Sequence, residues 1–278
     1  MGVHKDKIIS CSPGKGFPAV SVTGGRCNLM CEHCHGEHLK GMLFAETPSR
    51  LYLIAENVKS SGGSGILISG GSDRDGKVQL SDFVPIIREI SNMGLYVNVH
   101  PGIINRDDAK LLVSSGVSCF SMDVHQDPEV IRNVFHLDGP EIYEDSIDAV
   151  LEAGGNIMPH LTVGFSHRNI VESASLVKRK ELKEVVMLVL VPTKGTRFES
   201  NRVSEDEVVD SVKMLFEMGL NVTLGCMRDR RMRNIERICI EAGITKMANM
   251  SRETEEWATS QGYKVEKMER CCCFPLEQ

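Results

Sequence analysis

Residues 19–34 read A-V-S-V-T-G-G-R-C-N-L-M-C-E-H-C. The first five, Ala19–Thr23, are a short β-branched run and read as a strand. Gly24 and Gly25 end it, and Cys27, Cys31 and Cys34 follow on one tight loop. A strand that delivers reactive side chains at its C-terminal end is the signature of a parallel βα sheet. Three thiolates at CxxxCxxC spacing can hold three irons of a 4Fe–4S cluster, and the usual fourth cysteine is missing locally. One iron then keeps an open position for an exogenous ligand. Zinc also takes cysteines at short spacing, with His33, His35 or His38 as a fourth ligand. Structural zinc, however, usually uses two short hooks set apart in the chain, not three thiols on one.

Outward from this stretch the same unit repeats. Apolar strand-like runs are expected at 65–69, 95–100, 117–124, 157–164, 185–191, 221–225 and 246–249. Helical periods lie between them, at 46–60, 80–93, 107–115, 142–153, 172–180, 204–218, 231–241 and 252–261. Repeated βα without hairpin signals implies a parallel sheet. The expected class is α/β, a parallel (β/α) TIM-type barrel, full or partly open, with a cysteine-rich C-terminal extension. A doubly wound open sheet is the alternative. The expected divisions are a lead segment at 1–17, the barrel at 18–261 and the extension at 262–278.

Composition narrows the partners. The 278 residues are 41% hydrophobic and 25% charged, an ordinary globular balance for one α/β domain. A formal net charge of −6 argues against non-specific binding of nucleic acid and against docking on an anionic membrane. No apolar run approaches the ~18 residues of a membrane span. The opening M-G-V-H-K-D-K has no secretory h-region, and Asp6 stands where myristoylation needs Ser or Thr. A cytoplasmic setting is expected, in which the ten cysteines are metal ligands and core thiols, not disulfides.

The strand ends collect polar groups at one rim. They are Ser69-Gly70-Gly71-Ser72-Asp73, then His100, then Asp123 with His125, His160 with Thr162, Lys194 with Thr196, and Cys226 with Arg228. The glycine pair lets backbone approach a ligand closely. Asp123 interrupts an apolar strand, F-S-M-D-V, so it faces either the barrel mouth or a structural partner, His100 or His125. His160 carries the same two readings. Arg228 is suited to clamp a carboxylate bidentately. Arg230, Arg231 and Arg233 read as caps or solvated charges of the next helix.

Cys271, Cys272 and Cys273 are consecutive. Alternation in an extended segment sends Cys271 and Cys273 to one side. The stretch from Gly262 to Arg270 is long enough, roughly 30 Å extended, to return to the barrel mouth. There the tail thiols can meet Cys226 and hold an auxiliary cluster. Cys11 is a further candidate ligand, although it precedes the first expected strand. Cys119 and Cys239 sit in apolar contexts and read as core.

Taken together, the cysteine loop, I-S-G-G-S-D, N-V-H-P-G, P-T-K-G-T and L-G-C-M-R resemble the radical S-adenosylmethionine (radical SAM) superfamily, in its biotin-synthase-related group. Within that group the chain is similar to a component of the two-chain lipoyl synthases. The resemblance implies a 4Fe–4S cluster on Cys27, Cys31 and Cys34. Its open iron would chelate SAM, and one electron would release a 5′-deoxyadenosyl radical. It also implies SAM contacts from His33, near the adenine, and from Gly70, Gly71, Ser72 and Asp73, near the amino group. His100, Asp123 and Arg228 complete the expected set, with Asp123 on a ribose hydroxyl. The implied reaction is sulfur insertion at C6 and C8 of a protein-bound octanoyl chain, the sulfur coming from the auxiliary 4Fe–4S cluster. The implied partners are a homologous radical SAM chain, a lipoyl-carrier protein bearing octanoyl-lysine, and a low-potential electron donor. Two departures stand out. Ser72 occupies a position where an acid is common, and Phe165-Ser166-His167-Arg168 replaces a more glycine-rich turn. A radical SAM mutase or cofactor-maturation enzyme, and a zinc-binding interaction module, are the alternative readings.

Overall fold

The computed structural model describes residues 7–232 and 234–274. All eight expected strands are present, within a residue or two at each end. They are β2 (Ala19–Ser21), β4 (Gly65–Ser69), β5 (Tyr96–Val99), β6 (Cys119–Asp123), β7 (Ile157–Val163), β8 (Glu184–Val189), β9 (Asn221–Leu224) and β10 (Lys246–Ala248). Three more were not expected, β1 (Lys7–Cys11), β3 (Leu43–Phe44) and β11 (Lys264–Met268). Every pairing among these strands is parallel, in one sheet ordered β11-β1-β10-β9-β8-β7-β6-β5-β4-β2-β3. The TIM-type class holds in its partly open form, a curled sheet whose two edge strands are β11 and β3. The lead and the extension, read from the sequence as lying outside the barrel, each give a strand to this sheet.

The connections are helices α1 (Pro48–Ser60), α2 (Val84–Asn92), α3 (Arg106–Ser114), α4 (Pro128–Val134), α5 (Glu141–Glu152), α6 (His167–Arg179), α7 (Glu205–Glu217), α8 (Ile235–Glu241) and α9 (Arg252–Ser260). Their starts follow local chemistry. The Thr47, Asn105, Ser166, Ser204 and Ser251 side chains each accept the backbone N–H three residues on, satisfying a donor the helix leaves free. The main core lies between sheet and helices and includes Ile66, Ile68, Leu161, Met187 and Leu224. A second cluster fills the inside of the curl, with Cys11, Cys119, Met158, Val186, Cys272 and Cys273. A third packs Cys31 against Val130, Ile131, Phe135 and Tyr143 beside the cysteine loop. No helix among the described residues is long and apolar enough to cross a membrane.

Candidate active site

The cysteine loop leaves β2 and folds back over the sheet. Met30 and His35 take left-handed backbone, φ 48° and 46°, and Gly36 takes φ 77°. For the two non-glycine residues that costs about 1–2 kcal/mol each. The strain curls the loop so that Cys27, Cys31 and Cys34 face one cavity of ≈ 230 Å³. Cys31 and Cys34 share a hydrogen bond. It pulls the Cys34 thiol far down and, with burial, pushes the Cys31 thiol far up. Such crowding is relieved when a metal takes the thiolates, so the donor set fits a cluster.

Gly70, Gly71 and Ser72 also line this cavity. Gly71 is tight against the loop, where a Cβ would fall 2.0 Å from Arg26 O and 2.6 Å from Cys27 Cα. Thr23 ties the two segments, accepting from Gly71 N–H at 2.7 Å and donating to Arg26 O at 2.9 Å. Ser72 O accepts from Asn28 N–H at 2.8 Å. The glycine pair therefore seats the cysteine loop as well as lining the cavity. Asp73 does not line it. Its carboxylate accepts from Asp75 and Lys77 backbone N–H and from Gln79, which closes the turn and leaves Ser72 with no acidic neighbour turned inward.

His33 borders the cavity, 5.3 Å from the Phe135 ring and 5.4 Å edge-on from Phe165, with Nδ1 buried and unpaired. A buried ring nitrogen without a well-aligned partner, beside such a space, suits a polar ligand. His33, Cys34 and His38 also come within 4.8 Å of one another at their ligand atoms, the set a zinc site would use. The apolar wall formed by Phe135, Leu137 and Tyr143 was not among the expected site residues. The signal was D-P-E at 127–129, where Asp127 caps α4 ahead of Pro128.

His100 and Asp123 face the same cavity. Asp123 Oδ2 lies 3.3 Å from His100 Nε2, and Oδ1 lies 3.8 Å from His160 Nδ1. Burial works against the carboxylate's charge, but His100 and then His160 hold it well below the usual carboxylate range. Burial, offset in part by Asp123, takes His160 down to about 4. His125 is not Asp123's partner. It stacks on Phe135 at 4.2 Å and meets the Asn169 amide at 3.1 Å through Nδ1.

Arg228 is a correction. Its side chain is fully buried, 2.5 Å from Glu236 and bonded to the Gly225 and Asn249 carbonyls. Glu236 in turn accepts from Ser251. A guanidinium spent on a buried ion pair cannot clamp a ligand carboxylate, and its loss alone would cost about 3–5 kcal/mol of stability. Of its neighbours, Arg230 shares Glu236 and Arg231 pairs with Asp229, while Arg233 lies outside the described residues.

The tail also departs from expectation. It does not climb to the mouth but enters the curl from the N-terminal ends of the strands. Ile9 pairs with Lys246, the first residue of β10, so Lys7 and Ile8 hang below that strand, and β11 follows β1 in register. Beyond Met268 the chain meets Ser64 just before β4. Phe274 then lies 4.3 Å from the Tyr96 ring at the start of β5, and its carbonyl accepts from Lys246 Nζ. Cys271, Cys272 and Cys273 bring their sulfurs within 4.8 Å of one another. Cys273 Sγ is 3.5 Å from His160 Nε2 and 3.3 Å from Ser121 Oγ. Mutual hydrogen bonds pull the Cys271 thiol well down and push Cys272 and Cys273 well up. Cys11 is buried in the same cluster, its thiol pushed up to about 11 by burial. Cys226 is exposed and is not gathered with the tail thiols. Cys119, expected as core, is buried beside the tail thiols, and Cys239 is in the main core.

Known proteins place this arrangement. The profile of the Radical SAM superfamily matches residues 21–179, from β2 to α6. The biotin synthase of Vibrio cholerae is 23% identical over 246 residues, which cover 82% of this chain and 68% of that protein. Methylornithine synthase superposes with a TM-score of 0.65 at 13% identity, over 94% of this chain and 84% of that one. The FeFe-hydrogenase maturase HydG from Carboxydothermus hydrogenoformans gives 0.66 at 17% identity, over 94% and 68%.

Proposed function

Since the chain belongs to the radical SAM superfamily, we propose that it inserts sulfur into an unactivated aliphatic chain, as one component of a two-chain lipoyl synthase. Cys27, Cys31 and Cys34 would hold the 4Fe–4S cluster. With SAM bound, that cluster supplies a 5′-deoxyadenosyl radical able to take hydrogen from an unactivated carbon. His33 and the wall of Phe135, Leu137 and Tyr143 would flank the adenine, and the strained loop seated on Gly71 keeps the three thiols on the cavity side. The apolar wall excludes water, which a carbon radical needs.

The observation that carries the sulfur reading is the tail. Cys271–Cys273 converge inside the curl, next to His160, whose partner Asp123 lines the cavity shared with the cysteine loop. Three gathered thiols, with Cys11 buried among them, fit a second, auxiliary cluster as the sulfur source. Relatedness to a biotin synthase supports the same direction. The substrate would be an octanoyl-lysine on a carrier protein, with a homologous partner chain and a low-potential electron donor.

The test is anaerobic incubation of the cluster-loaded enzyme with SAM, reductant, an octanoyl-lysine peptide and the partner chain. Mass spectrometry is expected to find a thiol-bearing octanoyl group, at about one turnover per chain, because each turnover consumes the donor. Product from a variant with Cys271, Cys272 and Cys273 all replaced by Ala would refute the sulfur-donor role. Active SAM cleavage with no octanoyl product would favour a mutase or maturase. Stoichiometric zinc without iron in the isolated protein would favour the zinc module.

A further inference from the structure

We propose that His100, Asp123 and His160 form a binding site for a divalent transition-metal ion on the inner wall of the curl, between the two groups of thiols and using none of them as a ligand. The topology brings them together. Asp123 ends β6, and His160 is its directly paired neighbour on β7, so their side chains leave the sheet on one face. His100 follows β5, the strand on the other side of β6. The ligand atoms of all three lie within 4.8 Å of one another. The contacts to the two Asp123 oxygens are 3.3 and 3.8 Å. Two donors each about 2.1 Å from one ion stand roughly 3.0–3.4 Å apart at octahedral or tetrahedral angles. Small side-chain rotations would close the site.

Two observations separate this set from an ordinary ion pair. His100 Nε2 is buried and faces Asp123 Oδ2 at 3.3 Å without the alignment of a good hydrogen bond, so its lone pair or proton is free to reorient toward an ion. His160 approaches Asp123 through Nδ1 and has its far nitrogen, Nε2, 3.5 Å from Cys273 Sγ. An outer contact of that kind fixes the ring of a ligating histidine. Two imidazoles and one carboxylate make the set that takes Fe²⁺ or Mn²⁺ and leaves coordination positions open. Asp123 lines the cavity shared with the cysteine loop, which gives the ion a way in. The ion would lie between the cysteine loop and the tail, where its open positions can take an oxygen or nitrogen of a bound substrate. The site does not depend on the sulfur-insertion reading.

Mn²⁺ is the probe, because it is paramagnetic and prefers oxygen and nitrogen to thiolate. The anaerobic, cluster-loaded enzyme is titrated with Mn²⁺, free ion is read by EPR, and nitrogen coupling to bound ion is read by pulsed EPR. The expected result is saturable binding of a single Mn²⁺ per chain with imidazole nitrogen coupling. Asp123→Asn should weaken binding at least about tenfold, and His160→Gln should reduce the nitrogen coupling, with iron content unchanged in both. Absence of stoichiometric binding, bound Mn²⁺ without nitrogen coupling in the unmodified enzyme, or full binding by D123N at unchanged iron content would each overturn the site and leave an ion-paired cluster.

Discussion

Gly71 shows how much one missing methyl group decides. Its Cα faces Arg26 O and Cys27 so closely that alanine cannot fit without moving the loop, because the atoms in the way are backbone. A shift of about 1 Å at the first cysteine should cost roughly a hundredfold in catalysis. Gly71→Ala is therefore expected to keep the fold, by circular dichroism, and to lose most SAM cleavage together with iron from the loop site. A variant with normal iron and normal cleavage would show that the glycine is only a turn. The cysteines themselves were legible, since covalent spacing survives in one dimension. The pairing of Asp123 with His160 was not, because it depends on the register of two strands, which is set by tertiary packing. Arg228 was misread for the same reason. Its partner Glu236 sits eight residues on, across a turn whose path the sequence does not state.

At the scale of elements, the apolar pattern separates most of what was legible from what was not. The eight strands of the repeat carry apolar runs because helices or the interior cover them. β1, K-I-I-S-C, has only two aliphatic residues beside a lysine, a serine and a cysteine, and β11, K-V-E-K-M, alternates charge at the sheet edge, where lysines discourage pairing with another chain. Their patterns resemble loop. Besides its thiols and the Lys246 bond to the Phe274 carbonyl, the tail segment after β11 has one aromatic anchor, Phe274 against Tyr96, with the Arg270 guanidinium 4.4 Å over the Phe274 ring. Together these two ring contacts are worth about 1–2 kcal/mol. Phe274→Ala is expected to speed amide exchange across Lys264–Met268 roughly tenfold while leaving β4 to β7 unchanged. Equal protection in both proteins would mean that the thiols, not the aromatic pair, anchor the tail.

The whole molecule is a curled sheet whose last joint is made by distant parts of the chain. β4 through β9 each pair with a sequence neighbour, whereas Ile9 pairs with Lys246 and Glu266. Long loops must close before that pairing is rewarded, so the joint should form late. In pulsed exchange during refolding, amides of β4 to β7 are expected to gain protection before those of β1, β10 and β11. Simultaneous protection throughout would mean that the sheet closes in one step.

The same topology imposes an order on biosynthesis. The CxxxCxxC loop and the strands that seat it leave the ribosome long before Met268, so iron can be delivered to the first site on a nascent chain. Cys271–Cys273 have no surroundings until β1 has found β10 and β11. Any metal placed there must arrive during or after that closure, through a short tail beyond Met268. The cell's assembly machinery would then meet two different clients in one protein: an early loop open from above and a late pocket entered from below. Repair of the second could proceed by release of the tail alone, with the first left in place.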